Sequence, residues 1–325
     1  MIGSHEGKAT FMTNASTSIF RGVFTALITP FSENGATVDF DRLAENIHLQ
    51  ALAGVSGVVP CGTTGESPTL TEHEHRSVVE KTATHARDNG LRIIAGGGSN
   101  NTEHAIHLHR LARAVGADAS LQVNPYYNKP SQEGLYRHFM AIADSCDLPI
   151  VLYNIPGRTG VCLTIKTIKR LAEHPHIQAI KDATGGLELA NATLLQTDLV
   201  VLSGDDPLTL PLASIGGSGV ISVLSNLLPG RVAAMWLAIE KGHWELAREI
   251  HFELLPVANA LLTLDSNPVP VKTALALAGR DSGTVRLPLV KPSREVTETI
   301  RRIMETLQSR EATDVKKAEE AMSHQ

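Results

Sequence analysis

Lys181 stands near the end of the run Ile177-Gln-Ala-Ile-Lys-Asp-Ala-Thr-Gly185, a short apolar strand pattern that reaches one cationic amine and then breaks into turn residues. An amine adds to a ketone only when unprotonated, and partial burial favours that neutral form. An imine-forming lysine would sit in such a place. So would an ordinary solvated strand-end lysine, and the run alone leaves both open. A second chemical segment is Gly62-Thr63-Thr64-Gly65-Glu66-Ser67, where two glycines free the backbone N–H groups to face a small carboxylate, with two hydroxyls alongside. The same segment leads into a helix start, since Thr71 and Glu74 have the spacing of a capping box; the two readings are compatible.

Two further segments place tyrosine beside turn residues: Asn124-Pro125-Tyr126-Tyr127-Asn128-Lys129-Pro130 and Tyr153-Asn154-Ile155-Pro156-Gly157-Arg158-Thr159. They hold three of the chain's four tyrosines, and a phenol passes a proton without carrying a standing charge. Interfacial packing is the competing use of each ring. Arg158 could hold a carboxylate through two parallel hydrogen bonds, or form a surface ion pair.

These residues need a frame, and the chain alternates short apolar runs with longer stretches of helical period. Eight runs read as strands: Val23 to Thr29, Gly57 to Cys61, Arg92 to Gly96, Ala119 to Asn124, Pro149 to Asn154, Ile177 to Asp182, Leu199 to Gly204 and Gly219 to Val223. The gaps admit crossover helices, as in Asp41 to Gly54, Glu72 to Asn89, Asn101 to Gly116 and Gln132 to Cys146. Eight βα units predict a (β/α)8 TIM barrel, although a doubly wound open sheet carries the same local signals. From Pro229 the strand pattern stops, and Val232 to Glu240, His243 to Leu262 and Val269 to Ala278 read as a C-terminal helical appendage. The expected organisation is a tail at 1–19, a barrel at 20–228, a helical domain at 229–310 and a polar tail at 311–325. The first tail is rich in Ser and Thr; an organellar transit peptide is an alternative to a loose extension.

Composition excludes several classes. The chain has 325 residues, 42% hydrophobic, with 29 basic against 34 acidic side chains, so a large core is available and no basic footprint for nucleic acid exists. No stretch approaches the roughly 18 to 20 apolar residues of a membrane span. Three cysteines at wide spacing, Cys61, Cys146 and Cys162, fit neither a disulfide framework nor a Cys-x-x-Cys metal site, and a reducing, cytoplasmic location is expected. His73, His75, His104, His107 and His109 lie on polar helical stretches without a His-Glu-x-x-His pattern, and a solvated face is expected in preference to a zinc site. Gly216-Gly217-Ser218-Gly219 precedes its strand, where glycine serves packing and not phosphate binding.

The chain resembles the pyruvate-dependent class I aldolase family that includes dihydrodipicolinate synthases and sialic acid lyases. The resemblance runs from about Phe20 to Leu307. It is carried in order by GTTGES at Gly62 to Ser67, NPYYNKPSQEGLY at Asn124 to Tyr136, LYNIPGRTG at Leu152 to Gly160 and IKDATG at Ile180 to Gly185. LSGDD at Leu202 to Asp206, GGSGVISV at Gly216 to Val223 and NPVPVK at Asn267 to Lys272 complete it. It favours the barrel over the open sheet. It implies that Lys181 is the Schiff-base lysine for pyruvate, whose carboxylate is held at Thr63 and Thr64 in a region bounded by Ile221. Tyr153 would be the proton carrier, with a relay through Thr63 and Tyr127, the latter contributed by the neighbouring subunit of a homotetramer built as a dimer of dimers. Arg158 would hold the carboxylate of L-aspartate 4-semialdehyde, the second substrate, and the product of such a lyase is 4-hydroxy-tetrahydrodipicolinate, at the start of diaminopimelate and lysine biosynthesis. No metal or organic cofactor is implied, because the lysine imine stabilises the carbanion.

Two alternatives stand beside that reading. A sibling aldolase or dehydratase would use the same imine on a sugar acid or hydroxy acid, against which stand Arg158 and Tyr127. A catalytically silent barrel acting as a binding module would be free to lose Lys181 or Tyr153, and both are present. The family's lysine feedback site is matched at Ser67, His75, Asn100 and Tyr126 but not at Pro68, Glu72 and His104. The histidine stands where a glutamate would receive the effector's ammonium, and weak or absent inhibition by lysine is expected.

Overall fold

In a computed structural model the described residues are 19–306, so the tail up to residue 18, the tail at 311–325 and residues 307–310 of the expected helical domain lie outside them. Eight parallel strands close into a barrel in sequence order: β1 (Gly22–Ala26), β2 (Gly57–Val59), β3 (Arg92–Gly96), β4 (Ala119–Val123), β5 (Ile150–Asn154), β6 (Ile177–Asp182), β7 (Val200–Ser203) and β8 (Gly219–Ser222). β1 pairs with both β2 and β8, so no edge is left. The helices are α1 (Phe40–Leu52), α2 (Glu72–Asp88), α3 (Thr102–Ala114), α4 (Gln132–Ala143), α5 (Pro156–Thr159), α6 (Ile165–Leu171), α7 (Glu188–Gln196), α8 (Thr209–Ser214), α9 (Pro229–Glu240), α10 (Trp244–Thr263) and α11 (Val269–Leu277). Residues 294–306 are helical as well. This is the expected (β/α)8 barrel with C-terminal helices.

Strand burial explains why the runs read as continuous apolar stretches. All five residues of β1 and of β5 are buried, as both faces of a parallel sheet are covered by side chains or by helices. Inside the barrel Phe24 fills space that Gly57 leaves free, since a Cβ there would lie 2.8 Å from Phe24 Cδ1, and Gly219 lets β8 approach β1, since a Cβ on it would lie 2.2 Å from Gly22 O. The glycine run before β8 is thus a packing device. β1 ends sooner than its apolar run because the Ile28 N–H leaves the ladder and donates to Asn226 Oδ1 at 3.1 Å.

Helix starts follow their caps. Asp39, Thr71, Asn101 and Ser131 each accept a backbone N–H in the first turn of α1 to α4, and Thr71 with Glu74 forms the reciprocal capping box. α9 packs on β1 and α1 and then on α10, closing the ring of helices. One expectation fails: His75 and His109 are not on a solvated face but 6% and 0% exposed. The polar stretches around them hide a buried stripe, on which His75 Nε2 meets Gly96 O at 3.0 Å and His109 Nδ1 meets Ser120 Oγ at 2.7 Å. Burial lowers the affinity of both rings for a proton, to about 4 at His109. His104 and His107 are exposed, as expected.

Candidate active site

Strand register puts the reactive side chains on one face. Tyr153 on β5 is the partner of Lys181 on β6, Lys181 is the partner of Leu202, and Leu202 of Gly219, two residues before Ile221. With a period of two, Tyr153, Lys181 and Ile221 all face the barrel interior near the carboxyl-terminal rim. Lys181 is 5% exposed, and its Nζ lies 4.2 Å from the centre of the Tyr153 ring. The lysine is therefore not the solvated strand-end residue that the sequence left possible.

Above these residues lies a cavity of about 570 Å³ whose wall includes Thr63, Tyr153, Arg158 and Asn267. Lys181 is not part of that wall but packs behind it, against the Tyr153 ring. Thr64 reaches it through Asn267, whose Nδ2 donates to Thr64 Oγ1 at 3.0 Å. Ile221 is fully buried on β8 and is not part of the wall. Arg158 sits on the single turn of α5, which Gly160 ends in a left-handed conformation, and its Nη2 donates to Asn267 O at 3.3 Å. Its remaining donors are unassigned and its side chain is exposed, which suits it to a ligand carboxylate. Tyr127 is not brought in: its side chain is 90% exposed and its backbone is left-handed, φ 73°. The neighbouring backbone is braced by Asn100 Nδ2 donating to Tyr126 O and Asn128 Nδ2 donating to Asn100 O.

Three functional features escaped sequence reasoning. Gly204 follows β7, and a Cβ there would lie 3.1 Å from Lys181 Cε and 2.7 Å from Ala183 Cβ, so the glycine leaves room for the lysine arm. Asp205 and Asp206 come next; burial pushes both carboxyls above the usual range while the Lys181 charge pulls them back. Asp206 accepts from Val223 N at 2.9 Å, Leu224 N at 3.0 Å and the Ser222 hydroxyl, which ties the end of β7 to the end of β8. The third is the contact of Asn267 with Thr64. The only signals for these were the strings Leu202 to Asp206 and Asn267 to Lys272, which carried the resemblance without a role. The cavity also extends past Ser67, Pro68, Glu72, His75, His104 and Tyr126, and Glu72 Oε1 lies 3.0 Å from His107 Nε2. Among the described residues no group of three or more His, Cys, Asp or Glu could hold a metal, and no helix is long and apolar enough to cross a membrane.

A buried lysine beside a tyrosine at the rim of a barrel, with that tyrosine and an arginine on one cavity, is an arrangement suited to amine chemistry on a small anionic ligand. Comparison with known proteins gives the family. The profile of the Dihydrodipicolinate synthetase family matches residues 19–307, and the chain belongs to that family. It is 47% identical over 290 residues to a 4-hydroxy-tetrahydrodipicolinate synthase of Methanocaldococcus jannaschii, covering 89% of this chain and 99% of the relative. Among solved structures, the 4-hydroxy-tetrahydrodipicolinate synthase of Methylacidiphilum fumariolicum superimposes with a TM-score of 0.87 at 43% identity, over 90% of this chain and 97% of the other. The chloride-inhibited dihydrodipicolinate synthase of Acinetobacter baumannii, complexed with pyruvate, gives 0.86 at 38% identity, over 89% and 99%.

Proposed function

We propose that the chain condenses pyruvate with L-aspartate 4-semialdehyde through an imine on Lys181, giving 4-hydroxy-tetrahydrodipicolinate, the opening step of diaminopimelate and lysine biosynthesis. The observation that carries the reading is the buried Lys181 amine against the ring of Tyr153, a residue that shares a cavity wall with Arg158. The Lys181 nitrogen adds to the ketone carbon of pyruvate and water leaves. The protonated imine draws electrons from the adjacent methyl group, so Tyr153 can accept one of its protons and an enamine forms. The enamine carbon attacks the aldehyde carbon, whose oxygen takes a proton and becomes the hydroxyl. The amino group of the second substrate then attacks the imine carbon, displaces the Lys181 nitrogen and closes the six-membered ring.

In this reading Thr63 and Thr64 hold the pyruvate carboxylate, Ile221 bounds its site, and Arg158 holds the carboxylate of the aldehyde. Thr63 and Tyr127 complete the proton relay with Tyr153. Tyr127, exposed in the single chain, serves the site of a second subunit, and the working form is a homotetramer assembled as a dimer of dimers. Position 104 carries a histidine where a glutamate would receive a cationic effector, and the nearby Glu72 is engaged by His107, so inhibition by lysine is weak or absent; inhibition at low micromolar lysine in a steady-state assay would contradict this.

The test of the main reading is reduction with borohydride in the presence of pyruvate, followed by peptide mass spectrometry. The adduct is expected on Lys181, and turnover is expected with aspartate semialdehyde as second substrate. An unlabelled Lys181 would remove the mechanism, and labelling without turnover of that aldehyde would transfer the chain to a different acceptor.

A further inference from the structure

The residue that follows the hydroxyl turn is neither glycine nor exposed. Glu66 has left-handed backbone, φ 52° and ψ 36°, and its side chain is 1% exposed. Each carboxylate oxygen is held from the far end of the chain: Lys272 Nζ donates to Oε1 at 2.8 Å and Arg286 N donates to Oε2 at 3.0 Å. Lys272 is itself 0% exposed. It also donates to Thr29 O at 2.9 Å and lies 4.2 Å from the centre of the Phe31 ring.

The contacts of this group run back into the turn residue by residue. Glu66 N donates to Thr63 O at 3.1 Å, Asn267 Nδ2 donates to Thr64 Oγ1, and the Thr29 hydroxyl donates to Gly65 O at 2.7 Å. Asn267 and Lys272 lie five positions apart, just before and within α11. One short C-terminal stretch thus grips the turn at Thr64 and at Glu66.

Stability alone does not account for the arrangement. A left-handed residue with a side chain costs about 1–2 kcal/mol. A buried ion pair returns roughly what its desolvation costs, and packed apolar side chains would fill the same volume without that cost. Both expenses fall on a residue two positions past Thr64, at the rim where the catalytic cavity begins. We infer that Glu66, anchored by Lys272, is a positioning residue that sets the Thr63 and Thr64 hydroxyls for the carboxylate of pyruvate. The inference rests on the proposed reading of Thr63 and Thr64 as the pyruvate carboxylate site. Glu66 touches no reacting atom in it.

Glu66→Gln keeps the shape and removes the charge. Its amide must turn an N–H group toward either Lys272 Nζ or Arg286 N, both donors, so one anchor is lost. The readout is the pyruvate concentration that gives half-maximal borohydride trapping at Lys181, measured beside the KM for aspartate semialdehyde and the melting temperature. The half-saturating pyruvate concentration is expected to rise about tenfold, in line with loss of one hydrogen bond to a charged group, while the aldehyde KM moves by less than about twofold. A variant with a lower melting temperature and unchanged pyruvate half-saturation overturns the inference, as does an equal rise for both substrates. If wild-type protein is not labelled at Lys181, the underlying reading fails instead. Should Glu66→Gln fail to fold, Glu66→Gln with Lys272→Met removes both members of the buried pair together and is judged by the same two outcomes.

Discussion

Two loops on the carboxyl-terminal rim carry left-handed residues that have side chains, and they are supported in opposite ways. The β2 loop has Cys61 at φ 54° and Glu66 at φ 52°, and the β4 loop has Tyr127 at φ 73° and Lys129 at φ 46°. In the first, every strained residue is buried, and the C-terminal segment grips it through Asn267, Lys272 and Arg286. In the second, Tyr127 extends into solvent with two asparagine contacts bracing its neighbours. Backbone strain persists only where surroundings hold it. The β2 loop finds its support from distant segments of the chain, whereas the β4 loop leaves the Tyr127 side chain exposed. In the proposed reading the difference would separate two tasks of the site, with pyruvate held by one chain and the proton relay drawing on two.

That contrast breaks in a definite order if it is wrong. Lys181→Ala removes the amine on which both loops act, and pyruvate-dependent borohydride labelling should vanish with turnover reduced by about four orders of magnitude or more. Tyr127→Phe should lower kcat by about 100-fold or more through loss of a relay proton, while pyruvate still labels Lys181 with unchanged half-saturation. Weakened labelling in that variant would place Tyr127 in pyruvate binding and erase the distinction. Thr64→Val should do the reverse, raising half-saturating pyruvate by about tenfold with a smaller change in kcat. Dilution of the wild-type protein below its assembly constant should reduce turnover per subunit while leaving labelling intact, which sedimentation run beside the assay would check.

The smallest effect concerns acid. Glu74 is held at a pKa of about 2, first by its hydrogen bonds from Arg286, the same residue whose backbone N–H anchors Glu66. Because the folded value lies below the ordinary one, the stability this pair adds is complete above pH 4.5 and is lost as pH falls through about 2. Buried His109 and His138, each lowered to about 4 chiefly by burial, also lose stability on acidification, but over the window from 6.5 down to 4. The melting temperature should therefore decline first through the histidine window. Glu74→Gln should flatten only the part of the profile below pH 4.5, and a flattening above that range would show that the clamp on the β2 loop depends on another group.

Much of this was readable from the chain. The eight apolar runs are the eight strands to within a few residues, because a parallel strand buried on both faces must be apolar along its length. α2 begins where the capping box of Thr71 and Glu74 predicted, and α1, α3 and α4 begin within a residue of the expected crossover stretches. Lys181, Thr63, Tyr153 and Arg158 could be picked out as candidates from type and position, and their expected roles came only with the family resemblance. The burial of His75 and His109 was misread because helical stretches rich in polar residues still turn one narrow stripe inward, and a side chain's partner across that stripe is not a local property.

The sequence by itself determined the strand and helix pattern, the chemistry available at each strand end and the family, since all of these reside in short contiguous strings. The tertiary structure decided which strings meet. Only the pairing of β5 with β6 places Tyr153 against Lys181 in register, and only the return of the C-terminal segment brings Asn267 to Thr64 and Lys272 to Glu66 across some two hundred residues. Pairings over such separations leave no periodic trace in a chain, because the contact belongs to the closed barrel and the helices laid over its rim.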